Sequence, residues 1–247
     1  MKQKIVLILV IALSTLFNRN YSRAQSENNL SEIWNSLLSE YVSDRGLVNY
    51  EGLLDKKRDI EKYISFLKDN APQKSWSEPE KLAYWINTYN VNTVWLILEH
   101  YPLKSIMDIK EGEKTAWDIK FIEIKGQTYS LNDIENNILR KRFREPRIHF
   151  AVNCGAYSCP KLYNKAFVAS DLNERLNILA KEFINNKNKN ILKQNKIRIS
   201  RIFEWYGDDF NKEGSLIDFL NKYSDVKISA DARVDYLEYD WRLNKQK

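Results

Sequence analysis

The chain has 247 residues, 43% hydrophobic and 29% charged, with 7 Gly and 5 Pro. That mix is too apolar for a disordered chain and too charged for a multi-span membrane protein, and so few glycines leave no GxGxxG or GxxxxGK[ST] phosphate cradle. The formal net charge is +6, but Lys2, Lys4, Arg19 and Arg23 lie in the first 24 residues; without them 35 basic residues face 33 acidic ones, and the net +2 that is left is no footprint for nucleic acid.

Residues 1–24 have the layout of a Sec signal peptide. Lys2 and Lys4 precede an apolar run of 13 residues, Ile5 to Phe17, and Ser22-Arg23-Ala24 offers small side chains where a signal peptidase reads. Asn18, Arg19 and Asn20 end the run short of the roughly 20 residues a membrane span needs. Cleavage after Ala24 is expected to deliver residues 25–247, one domain, to the periplasm or the medium, with no membrane span left.

In the mature chain Ser31 is the expected cap of a helix with an apolar stripe of Ile33, Trp34, Leu37, Leu38, Tyr41 and Val42. Leu53 to Leu67 reads as a second, charged helix. Ser77 with Glu80 forms a capping box, and Pro79 is tolerated in the first turn of the helix it opens. That helix runs to about Leu98 and is apolar on nearly every side, so it should be central and buried, with Asn87 and Asn90 as buried amides in need of partners. His100, at its end, suits the negative pole of the helix dipole.

Beyond Pro102 the pattern changes. Trp117 to Ile124 alternates, Lys125-Gly126 turns and Gln127 to Leu131 returns, which predicts a hairpin. Ser130 with Asp133 caps a helix through Leu139. Arg147 to Asn153 alternates as a short strand, Ser170 caps a further helix, and Ile191-Leu192 with Ile197 to Ile199 forms a second hairpin. Phe203 to Phe210 and Leu216 to Tyr223 read as helices, and Val234 to Trp241 as a last strand. Helices early, hairpins later and no βαβ repeat predict an α+β fold: a central buried helix on a mainly antiparallel sheet, with flanking helices.

Reactive side chains concentrate in residues 135–160: Glu135, Arg140, Arg147, His149, Asn153, Cys154 and Cys159. A nucleophilic thiol needs a base, the base a group to orient it, and a developing oxyanion a donor. Cys154, His149, Glu135 and the Asn153 amide are the candidates for those four roles. Gly155 would let the chain turn sharply after the strand. In an unbroken strand His149 and Cys154 would point to opposite faces, so the pairing requires the strand to end before Cys154. Other readings stay open: a Cys154–Cys159 disulfide in an oxidising compartment, a zinc site with His149 and an acid, or two packed thiols. Arg140 and Arg147 are either substrate clamps or ion-pair partners of Glu135.

Four blocks, KLAYWINTYNVNTVWLI (81–97), SLNDIENNILR (130–140), PRIHFAVNCGAYSCPKL (146–162) and ISRIFEWYGDDF (199–210), resemble the domain of unknown function 547 family over about residues 45–225. The resemblance marks Trp85, Asn87, Tyr89, Asn90, Glu135, Arg147, His149, Asn153, Cys154, Cys159, Pro160, Trp205 and Phe210 as pattern positions. Similarity of that family to papain- and transglutaminase-like thiol hydrolases implies a Cys–His–acid site. The residue after Glu135, often His in the family, is Asn136 here, and His149 precedes Cys154, whereas a papain-like enzyme has its Cys at the start of the central helix.

Together these features lead to the expectation of an exported thiol-dependent hydrolase or acyl-transferase acting on peptide or amide bonds. Cys154, His149, Glu135 and Asn153 would be catalytic, with Arg147, Asn87, Asn90 and Cys159 as binding residues. No metal or cofactor is implied, and the partner would be a peptide or cell-envelope substrate. The alternative is a non-catalytic exported interaction module with a structural Cys154–Cys159 disulfide.

Overall fold

The computed structural model describes residues 32–246. The expected signal peptide, its expected cleavage point and Ser31 as a cap lie outside the described residues. Helix α1 is described over 32–41, and α2 (Tyr50–Leu54) and α3 (Lys57–Asp69) divide what the sequence predicted as one charged helix. Ile60, Tyr63 and Leu67 make the buried stripe of α3, and Tyr63 stacks on Trp34 of α1 with ring centroids 5.7 Å apart.

Helix α4 (Glu78–Glu99) is the axis of the molecule. Ser77 and Glu80 form the expected capping box: the Ser77 backbone N–H donates to Glu80 Oε2 at 2.7 Å, and Pro79 lies in the first turn. Every residue from Leu82 to Val94 is buried. Its polar side chains find partners at once, Thr88 donating to the Tyr84 carbonyl, Thr93 to that of Tyr89 and Asn92 to that of Thr88. Such back-bonding lets a helix carry hydroxyls and amides into an apolar interior. His100 ends the helix with Nδ1 2.9 Å from the Leu96 carbonyl oxygen, as a dipole partner should.

The α+β class holds, but among the described residues the strands form three small sheets rather than one. β1 (Lys110–Glu111) pairs with β2 (Lys114–Thr115), and β3 (Ile122–Ile124) with β4 (Gln127–Tyr129), both antiparallel. β5 (Ile191–Lys193) and β6 (Lys196–Ile199) form the second predicted hairpin, and β7 (Arg233–Tyr236) joins β6 in parallel. Helix α4 therefore packs chiefly against helices: α3, α2, α6 (Leu172–Asn185) and the segment Asp133–Leu139.

Two predicted elements take other forms. Asp133–Leu139 is wound as a π-helix, with the Arg140 N–H donating to the Glu135 carbonyl five residues back, before one α turn at α5 (Arg140–Arg142). Such widened turns recur at functional sites. The predicted strand 147–153 is instead a 3-10 helix, Pro146–Phe150. Pro146 fixes the first φ, and the Glu145 carboxylate accepts from the Arg147 N–H, so the helical turn is capped where a ladder partner would otherwise be needed. Residues 203–210 form two short helices, α7 (Ile202–Trp205) and α8 (Gly207–Phe210), and α9 (Leu216–Tyr223) comes after them. Phe150, fully buried, faces Phe183, Phe203, Phe210 and Phe219 at centroid distances of 5.3–6.2 Å, anchoring the 3-10 turn to α6, α7, α8 and α9.

After β7 the chain returns along the cysteine loop. The Tyr157 and Ser158 N–H groups donate to the Arg242 and Asp240 carbonyls, and the Asn244 N–H to that of Gly155. Asn244 is buried, its Oδ1 accepting from the Tyr50 hydroxyl at 2.7 Å. Among the described residues no helix is long and apolar enough to cross a membrane.

Candidate active site

The 3-10 turn resolves the facing problem posed by an alternating strand. Phe150 goes to the phenylalanine cluster while His149, buried beside it, stacks on Tyr206 at a centroid distance of 4.0 Å. The chain then leaves the turn, and Asn153 organises the loop that carries the cysteines. Its N–H donates to Asn90 Oδ1 at 2.9 Å, its Nδ2 to the Pro160 carbonyl at 2.7 Å, and its Oδ1 accepts from the Gly155 N–H at 2.9 Å. Gly155 has φ +76°, and a Cβ there would stand 2.5 Å from Ile97 Cδ1, so both backbone and space demand glycine.

This bend brings Cys154 and Cys159 together as a disulfide with Cα atoms 6.2 Å apart. The Cys154 N–H donates to Cys159 Sγ at 2.9 Å, and the Tyr239 hydroxyl lies 3.4 Å from Cys154 Sγ. Bonded to each other, the sulfurs are not free thiolate ligands, and among the described residues no group of three or more His, Cys, Asp or Glu is placed to hold a metal ion.

Both cysteines and His149 line one cavity of about 260 Å³, together with Glu135, Tyr206 and Tyr239. The carboxylate on the imidazole is not Glu135. Asp209 Oδ2 lies 2.8 Å from His149 Nε2 and accepts from Arg140 Nε at 2.6 Å, while Lys212 Nζ donates to Oδ1 at 2.7 Å. Burial alone would raise the Asp209 carboxyl, but these three hydrogen bonds outweigh it and hold the group well below the usual carboxylate range. A neutral imidazole that donates from Nε2 to the ionised Asp209 has its lone pair on Nδ1. Nδ1 is buried and has no hydrogen-bond partner. An unpartnered imidazole nitrogen on a residue that lines the same cavity as the two cysteines is a candidate general base.

Glu135, also buried, accepts from the Tyr89 hydroxyl at 2.9 Å. Burial first, and the Glu135 charge second, push the phenols of Tyr89, Tyr206 and Tyr239 well above their ordinary value. Three other expected site residues are committed elsewhere. Asn87 clasps the Phe167 backbone through both amide atoms, at 2.8 and 2.9 Å, and Asn90 bridges the Ala151 carbonyl to the Asn153 N–H. Arg147 pairs with Glu145 and reaches Asn177, away from the cavity of the cysteines.

A helix-wrapped α+β domain with a paired cysteine loop, an Asp-oriented histidine and an aromatic cavity is the class these features define. Residues 73–184 match the model of the family described as a protein of unknown function, DUF547, which shows the resemblance read from the sequence over that segment. No match to a curated protein or to a solved structure was found. The matched residues hold α4, Glu135, His149 and both cysteines; Asp209 and the block 199–210 lie beyond them.

Proposed function

We propose that this protein is an exported thiol-dependent hydrolase or acyl-transferase acting on peptide or amide bonds, idle while Cys154 and Cys159 are joined. One observation carries the reading: His149 is buried with Nε2 on Asp209 and Nδ1 unpartnered, and it lines the same cavity as both cysteines. An external dithiol supplies the two electrons and two protons that open the bond, and is itself oxidised to a disulfide. Cys154, the more exposed of the two, then gives its proton to Nδ1 and attacks the carbonyl carbon. The imidazolium, stabilised by Asp209, protonates the departing amine, and water or a second amine releases the acyl group. Asp209 takes the orienting role expected of Glu135, and Asn90 and Asn153 act as positioning residues that set the loop.

A second reading rests on the disulfide itself, which suits an exported interaction module with no chemistry. Alkylation separates the two. In reduced, folded protein, iodoacetamide should label Cys154 well below the ordinary thiol pKa of about 8.5, and His149→Ala should return the pH profile to that value. Identical profiles for wild type and His149→Ala would remove the enzyme and leave the module.

A further inference from the structure

Three tryptophans and a tyrosine from three parts of the chain line the same cavity. Tyr239 and Trp241 lie 4.5 Å apart between ring centroids, Trp205 and Tyr239 4.8 Å, and Trp117 and Trp241 5.7 Å. Trp205 also stacks on Trp241, ring centroids 5.8 Å apart, yet stays 43% exposed, so part of the indole is left to solvent. Among the described residues, internal cations sit over the rings of Trp95, Tyr206, Tyr163 and Tyr157, but over none of these four.

The same cavity is walled by Glu135, which is only 4% exposed. It makes no ion pair among the described residues: Arg140 is committed to Asp209 and Arg147 to Glu145. A carboxylate withdrawn from water without a cation is costly, and the phenols of Tyr89 and Tyr206 compensate only in part. Aromatic faces and an uncompensated negative charge in one recess make a site for an organic cation.

We infer that this cavity binds the alkylammonium group of the substrate, with Glu135 supplying the charge and Trp117, Trp205, Trp241 and Tyr239 the ring faces. The inference rests on the proposed function for its place in catalysis. Because the Tyr239 hydroxyl is 3.4 Å from Cys154 Sγ, an ammonium held here lies beside the carbonyl that the sulfur attacks. The substrate class is thus an acyl compound bearing an amine, such as a peptide with a lysine-type side chain. A neutral or acidic chain in that recess would leave Glu135 uncompensated.

The test needs no free thiol. Oxidised protein is titrated with choline and with its neutral isostere 3,3-dimethylbutan-1-ol, monitored by tryptophan fluorescence and calorimetric heat. Choline should bind saturably and the isostere at least about tenfold more weakly; Glu135→Gln, and separately the surface change Trp205→Ala, should each weaken choline by about tenfold. Equal binding of the two compounds, no saturation, or unchanged choline affinity in folded Glu135→Gln overturns the inference. Choline binding without His149-dependent alkylation keeps the cation site and removes the enzyme. The reverse result keeps the enzyme and removes the site.

Discussion

Replacing Asp209 by Asn tests the electrostatic centre of the molecule with almost no change of shape. Three donors converge on this carboxylate: His149 Nε2 at 2.8 Å, Arg140 Nε at 2.6 Å and Lys212 Nζ at 2.7 Å. An amide offers one acceptor oxygen and turns the other position into a donor, so at least one of the three meets another N–H. The Lys212 and Arg140 side chains are 39% and 25% exposed and can return to water, whereas that of His149 is 1% exposed and cannot. Charge-assisted hydrogen bonds are worth about 1.5–3 kcal/mol each; discounting the two solvated partners leaves a loss of about 2–4 kcal/mol at pH 7. Because the folded carboxyl titrates below its unfolded value of about 3.9, its contribution is complete above about pH 4 and is lost as the pH falls through the folded value. Urea unfolding of wild type and variant should therefore show a gap that is full at pH 7 and shrinks below about pH 4. A gap under about 1 kcal/mol at pH 7, or one that widens in acid, would refute the reasoning.

Two further substitutions probe the loop. Asn90→Ala strands the Ala151 carbonyl and the Asn153 N–H in the interior, and at roughly 1–3 kcal/mol for each it should lower the unfolding free energy by about 2–6 kcal/mol, read from the urea midpoint. An unshifted midpoint would mean that the loop holds without its pin. Gly155→Ala forces a side chain onto a φ of +76° and against the fully buried Ile97, for an expected cost of about 2–4 kcal/mol. A melting temperature within about 2 °C of wild type would contradict that close approach.

Local chemistry was legible in the sequence, and long-range placement was not. Ser77 and Glu80 announce the start of α4 because a capping box is a short-range device, and the helix's apolar surround announces its burial. The hairpins at 122–129 and 191–199 were readable from alternation around a turn. The segment 147–153 misleads because PRIHFAVN alternates like a strand while Pro146 and Glu145 cap a 3-10 turn. Asp209 stands 60 residues from His149, and no periodicity links them. Its signal was only the acidic pair Asp208-Asp209 inside one of the family-like blocks. Asn87 and Asn90 stand out in so apolar a helix as amides that must find partners. Which backbone groups they serve depends on how the loops at 151–167 fold over α4, and that lies outside any local pattern.

The seam between residues 240–244 and the cysteine loop makes the last part of the cavity wall depend on the end of the described chain. Tyr239, Trp241 and Asn244 come later in the chain than every other residue named around the cavity, so a chain that folds from its N-terminal side can collapse its phenylalanine cluster while the recess still lacks a wall. A polypeptide severed ahead of Tyr239 should keep that cluster and its helices, yet present its sulfurs without the segment that fastens their loop.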